Sequence, residues 1–158
     1  MFSTNSFCSG LKDTDALKIL ERLKVLVVDD NQDSCDLMCC LLELLGVQVT
    51  ASNSALEALA IIKQLQPQIL VSDIVMPHMD GYSLIRQIRH SKSISKDITA
   101  IAITALSGEE VLEQINQAGF DACLIKPFET DDFINLLASL HCRKEAENRY
   151  SENLPESA

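Results

Sequence analysis

Ile69-Leu70-Val71-Ser72-Asp73-Ile74-Val75-Met76-Pro77-His78-Met79-Asp80-Gly81 begins as a short apolar run with the length and composition of a strand buried on both faces. The run stops at a single carboxylate, Asp73, and breaks up through Pro77 and Asp80-Gly81, which are turn residues. Buried parallel strands of α/β sheets present their carboxyl ends to the crevice where ligands bind. Asp73 is therefore expected at the mouth of such a crevice.

The same pattern recurs on both sides. Upstream, Val25 to Val28 is an apolar run that stops at Asp29-Asp30. Residues 33–45 place Leu37, Met38, Leu41, Leu42 and Leu45 at helical spacing, with Gly46 as the left-handed cap. Val47-Gln48-Val49 alternates as an edge strand does, and Ser54 with Glu57 forms a capping box that opens a second helix. Downstream, a helix is expected from about Tyr82 to Arg89, then a strand from Ile98 to Ile103 that terminates at Thr104. Ser107 with Glu110 reads as another capping box, for a helix ending at Ala118-Gly119. A fifth strand, Ala122 to Ile125, terminates at Lys126-Pro127, and Thr130 caps a last helix through Leu140. Five strands alternating with five helices over short connections predict an α/β, doubly wound, five-stranded parallel sheet in the order 2-1-3-4-5.

This domain is expected over residues 24–140 of the 158. Residues 1–23 read as an N-terminal tail or linker with a short helix capped by Thr14, and with Ala16, Ile19, Leu20 and Leu23 on one face. Residues 141–158 read as a charged C-terminal tail, extending the last helix by a turn or two before fraying.

Composition narrows the function. No apolar run reaches the ~20 residues that span a bilayer, and Met1 to Gly10 lack the basic and apolar regions of a secretory signal. The expected location is cytoplasmic. Six cysteines then read as reduced thiols, best explained as small buried residues, since no histidine completes a metal set with Cys35 and Cys39. A net charge of −10 with no basic stripe argues against direct nucleic-acid binding and for a protein partner.

Four strands end in residues foreign to a core: Asp29-Asp30, Asp73, Thr104 and Lys126. In the predicted order their ends sit side by side. Each alone is ordinary, but jointly they gather three carboxylates, a hydroxyl and an ammonium in one crevice. Two unit charges ~4–5 Å apart repel by roughly 3–4 kcal/mol at an effective dielectric of ~20, so the carboxylates need a cation. An all-oxygen set with open positions suits Mg²⁺, beside which one carboxylate can act as nucleophile toward phosphorus. Thr104 can then donate to a phosphoryl oxygen and Lys126 can neutralise another. A metal-dependent phosphatase, a flavin binder of similar fold and a non-phosphorylated interaction module remain as alternatives. The first wants a second acid two residues beyond a first-strand nucleophile, and the second wants a Ser/Thr/Gly-rich phosphate loop. Neither feature follows Val28.

Val-Leu-Val-Val-Asp29-Asp30-Asn31, Asp73-Ile-Val-Met76-Pro77-His-Met-Asp80-Gly81, Ile103-Thr104-Ala105 and Lys126-Pro127-Phe128 closely resemble the receiver domain of two-component response regulators. The resemblance implies a flavodoxin-like receiver fold and a phosphoacceptor switch with no enzymatic role beyond assisting its own phosphoryl transfer and hydrolysis. Asp73 would accept the phosphoryl group from a histidine kinase or histidine phosphotransfer protein. Asp29, Asp30, Asp73 and the Val75 carbonyl would hold Mg²⁺, Thr104 and Lys126 would bind the phosphoryl group, and a downstream protein would read the result. The resemblance also implies a cis Lys126–Pro127 bond. The chain would be a free-standing regulator or relay shuttle or, alternatively, a receiver excised from a hybrid histidine kinase.

Two departures from that pattern stand out. Many receivers carry Tyr or Phe three residues before the lysine, where this chain has Cys123, so output is expected from the 104–118 segment without an aromatic flip. Val75 and Leu106, two residues beyond Asp73 and Thr104, are apolar and cannot orient an attacking water, so slow loss of the phosphoryl group is expected.

Overall fold

The computed structural model describes residues 13–94 and 97–152. In chain order its elements are α1 (Asp13–Leu20), β1 (Lys24–Val28), α2 (Gln32–Leu44), β2 (Gln48–Ser52), α3 (Ala55–Leu65), β3 (Ile69–Asp73), α4 (Gly81–His90), β4 (Thr99–Thr104), α5 (Glu109–Ala118), β5 (Ala122–Ile125) and α6 (Thr130–Glu152). The strands form one parallel sheet in the order β2-β1-β3-β4-β5, as the alternation of apolar runs and helical spacing predicts.

Strand composition explains the layering. Successive side chains point to opposite faces, and in β1 both sets are apolar: Leu26 and Val28 enter one core, Val25 and Val27 the other. The first core lies under α3, α4 and α5, with Ile62, Ile85 and Ile115 among its members, and the second lies under α1, α2 and α6 around Phe133. Register then fixes the rim. Val28 pairs with Ser72, Asp73 with Ile103 and Thr104 with Ile125, so the polar strand ends share one edge of the sheet.

Three of the helices leave that rim through side-chain caps. Asn31 accepts from the Ser34 amide at 3.0 Å, Ser54 from Glu57 at 3.2 Å and Asp80 from Ser83 at 2.8 Å. The Ser54–Glu57 pair is half of the expected box, because the Glu57 carboxylate turns to the Asn53 amide and the Ser52 hydroxyl. The Ser107–Glu110 box does not form. Gly108, at φ 114°, occupies the cap position of α5, and no side chain caps that helix. Thr130 and Thr14 likewise lie inside their helices, each one residue past the start or at it.

On α2 the buried positions are Cys35 and Leu42, whereas Leu37, expected inside, is 75% exposed. The buried stripe is turned toward Cys35, whose thiol donates to the Asp29 and Ser52 carbonyls at 3.3 and 3.7 Å. Cys39, Cys123 and Cys142 are half-buried and Cys40 is exposed, so burial accounts for fewer of the thiols than expected; Cys8 lies outside the described residues.

The segments flanking the repeat are more ordered than their sequence suggests. Leu20 and Leu23 are buried in the second core, and α1 packs on α6. The Arg22 amide donates to the Gly46 carbonyl at 3.1 Å. α6 runs about three turns beyond Leu140, where one or two were expected. Glu145 faces both His141 and Arg149 at i,i+4 spacing there. Among the described residues, no helix is long and apolar enough to cross a membrane.

Candidate functional site

The rim brings together the residues that the strand ends predicted. Asp29 is buried, Asp73 half-buried and Asp30 exposed, and one carboxylate oxygen from each lies within 4.8 Å of the others. Lys126 reaches in from the end of β5, its Nζ 3.3 Å from Asp29 Oδ2 and 3.5 Å from Asp73 Oδ2. Burial alone would pull the Lys126 ammonium down, but Asp73 and Asp29 outweigh it and hold it above the ordinary lysine value.

Backbone amides fix the acids. Asp29 Oδ1 accepts from the Asn31 amide at 2.9 Å, and Asp73 Oδ1 accepts from the Ile74 amide at 2.6 Å and the Val75 amide at 3.4 Å. The Asp29 carbonyl receives the Asn53 side-chain amide at 3.2 Å as well as the Cys35 thiol. Asp73 Oδ2 is thus left facing Lys126 alone among the hydrogen bonds found for it.

Thr104 is fully buried at the end of β4, where its Oγ1 accepts from the Leu106 amide at 3.1 Å. Its carbonyl accepts from the Lys126 amide at 2.8 Å, so the hydroxyl and the ammonium ride on neighbouring strands. The Lys126–Pro127 peptide is cis. Val75 and Leu106 flank the acids as exposed apolar side chains.

Gly81 is a residue whose part the sequence did not reveal beyond a turn signal. Its amide donates to the Ile74 carbonyl at 2.8 Å, and a Cβ there would strike the Asp73 carbonyl oxygen and come within 2.9 Å of Ile74 Cα. A side chain at 81 would therefore push against the backbone that carries Asp73. Asn53 and Cys35 also support Asp29 without a signal in the sequence: Asn53 is brought there by the pairing of β2 with β1, and Cys35 by the turn from β1 into α2.

Three carboxylates against one ammonium leave a formal charge of −3 + 1 = −2 at the cluster. Oxygens at this spacing, with no nitrogen or sulfur ligand among the three, fit a hard divalent ion, whose ligands stand ~2.1 Å away and about 3 Å or more from one another.

Residues 25–138 match the model of the response regulator receiver domain. The chain belongs to that family. This receiver domain is 37% identical over 121 residues to an uncharacterized 14.6 kDa protein of Leptolyngbya boryana, covering 77% of this chain and 92% of that one. It is 31% identical over 144 residues to the sensor histidine kinase RcsC of Escherichia coli, covering 90% of this chain but 15% of the kinase. Among solved structures, it resembles the receiver domain of the sensor histidine kinase PA1611 from Pseudomonas aeruginosa PAO1 at 27% identity and a TM-score of 0.69. That alignment covers 76% of this chain and 98% of the other, which carries a magnesium ion coordinated in its active site cleft.

Proposed function

We propose that this receiver domain is a phosphoacceptor switch, in which Asp73 takes a phosphoryl group from the phosphohistidine of a histidine kinase or phosphotransfer protein. The observation that carries the reading is Lys126 standing between Asp29 and Asp73 beside the three-acid cluster. Asp29, Asp30, Asp73 and the Val75 carbonyl would hold Mg²⁺, which would supply positive charge to offset that of the phosphoryl oxygens. Asp73 Oδ2 forms the new O–P bond as the P–N bond to the donor imidazole breaks. The imidazole nitrogen leaves with that electron pair and takes up a proton. Lys126 then pairs with a phosphoryl oxygen, and Thr104 donates to another.

A phosphoryl group carrying about −1.5 to −2 in place of the carboxylate's single negative charge favours one of two arrangements of the 104–118 segment, which a downstream protein reads. Incubation with Mg²⁺ and a small phosphodonor, followed by intact-mass measurement, is expected to show one added phosphoryl group on wild type and none on Asp73→Asn. An equally labelled variant removes Asp73 from the role. Val75 and Leu106 leave no side chain to orient water, so Leu106→Glu is expected to shorten the phosphoryl lifetime about tenfold or more. An unchanged lifetime counts against this account of the rim.

A second reading, a receiver within a hybrid histidine kinase, is favoured by the similarity to RcsC, of which the matched part is 15%. The polypeptide mass in the source cell separates the two.

A further inference from the structure

The three acids of the rim are not held alike. Asp29 and Asp73 each accept from backbone amides and face Lys126. Asp30 is exposed, and among the described residues none holds its carboxylate by a hydrogen bond or ion pair. One of its oxygens nevertheless lies within 4.8 Å of one from each of the other two acids. The backbone on either side of it sets that aim.

On the C-terminal side stands Asn31, fixed as the cap of α2 by its bond from the Ser34 amide. On the N-terminal side is the peptide joining Asp29 to Asp30, whose carbonyl accepts from Cys35 Sγ at 3.3 Å and from Asn53 Nδ2 at 3.2 Å. A carbonyl oxygen has two lone pairs, and two donors fill them. Donors arriving from two sides resist rotation of the peptide about its flanking single bonds, the motion that would swing the Asp30 side chain away. The donors are themselves anchored. Cys35 is fully buried, and Ser52, whose carbonyl is 3.7 Å from its sulfur, pairs with Val28 at the end of β1. Glu57, on the first turn of α3, accepts from the Asn53 amide at 3.3 Å and the Ser52 hydroxyl at 3.0 Å. The Asn53 side-chain amide also reaches the Cys35 sulfur at 3.9 Å, so each donor braces the other.

We propose that Cys35 and Asn53 are positioning residues for Asp30: by clamping the Asp29–Asp30 peptide they aim the Asp30 carboxylate at the metal and so set the affinity for Mg²⁺. The role rests on the metal set proposed above. It extends beyond support of Asp29, because the acid whose direction depends on the clamp is the neighbouring one. Groups that orient a metal's ligands typically change its affinity by about 10–100-fold when removed; a clamp that acts through one peptide belongs at the lower end.

Mg²⁺ binding to the full chain, read by isothermal titration calorimetry, tests this. The double variant Cys35→Ala/Asn53→Ala is expected to bind Mg²⁺ about tenfold more weakly than wild type. Cys35→Ser keeps a donor at that place and is expected to stay within about twofold of wild type, unlike Cys35→Ala. The deciding comparison is made in Asp30→Asn, where removing the clamp is expected to cost less than about twofold, since both changes act on one ligand. An equal cost in the two backgrounds overturns the proposal and gives the clamp to Asp29 alone. Binding undiminished in the double variant overturns it too, as does a Cys35→Ser protein as weak as Cys35→Ala. So does a wild type that binds no Mg²⁺, because Asp30 then has nothing to be aimed at. Asn53 is exposed, so Asn53→Ala keeps the fold and carries the same comparison should circular dichroism show the double variant unfolded. Labelling by acetyl phosphate separates this role from the wider reading. Affinities in the expected order with no label on Asp73 sink the phosphoacceptor function and leave the clamp standing; a labelled wild type whose variants break that order does the reverse.

Discussion

At the end of the sheet where β4 begins, Arg89 donates to the Gly119 carbonyl at 3.0 Å, the Ile98 carbonyl at 2.7 Å and the Asp121 carboxylate at 2.9 Å. That carboxylate also accepts from the Ala100 amide at 2.8 Å. At the opposite rim Lys126 stands before three carboxylates and neutralises one charge of the three. Both regions hold neighbouring parts of the sheet together with charged groups. In the first, donors and acceptors are matched and the result is a bolt joining α4, β4 and the turn before β5. In the second, negative charge is left over, which costs stability unless a cation arrives. Balance marks the Arg89 end, and surplus marks the end to which the proposed function assigns binding.

Substitutions that unbalance one end or relieve the other test this contrast. Gly81→Ala is expected to have the largest effect, about 2–4 kcal/mol of destabilisation, because its Cβ meets backbone atoms that cannot rotate away. Urea denaturation checks it, and phosphoryl labelling of the variant is expected to fall as well, since Asp73 shares that backbone. A stable, fully labelled variant would mean that the rim tolerates more movement than its packing suggests. Arg89→Met comes next, at about 1–3 kcal/mol, by leaving the Asp121 carboxylate and two carbonyls without their guanidinium; its labelling is expected to match wild type. Loss of labelling without loss of stability would couple the two ends and break the comparison. Asp30→Asn is the smallest. It is expected to raise the melting temperature in EDTA by about 1–3 °C through relief of like-charge crowding, while weakening Mg²⁺ binding measured by titration. A lower melting temperature in EDTA would show that the acids are not crowded.

The strands and their order were legible because four of them are short apolar runs with a polar stop, the remaining one alternates as an edge strand does, and short connections leave few parallel topologies. The acids, Thr104 and Lys126 were legible for the same reason: a strand's last residue is fixed to the rim by register alone. Helix caps were less so. Ser107 and Glu110 have the spacing of a box, but Gly108 takes a backbone conformation at the cap position that leaves no side chain to close it. Leu37 looked like core because helical spacing specifies a stripe without specifying which side of it faces the sheet. The Arg89 bolt and the packing of α1 on α6 had no local signal at all, since each depends on segments far apart in the chain. α6 was expected to reach only a turn or two past Leu140 because apolar spacing stops there, yet the helix continues for about three turns and packs on α1.

The hydrogen bond from the Leu106 amide to Thr104 Oγ1 has a mechanical consequence. A hydroxyl can accept one bond while donating another. When this oxygen turns to give its proton to an incoming group, the amide hanging from it is pulled along, or the bond breaks. In either case the proposed event at the acid changes the bonding of a single backbone N–H in the following loop, and the exchange of that N–H with solvent deuterium becomes a gauge of whether Thr104 has turned.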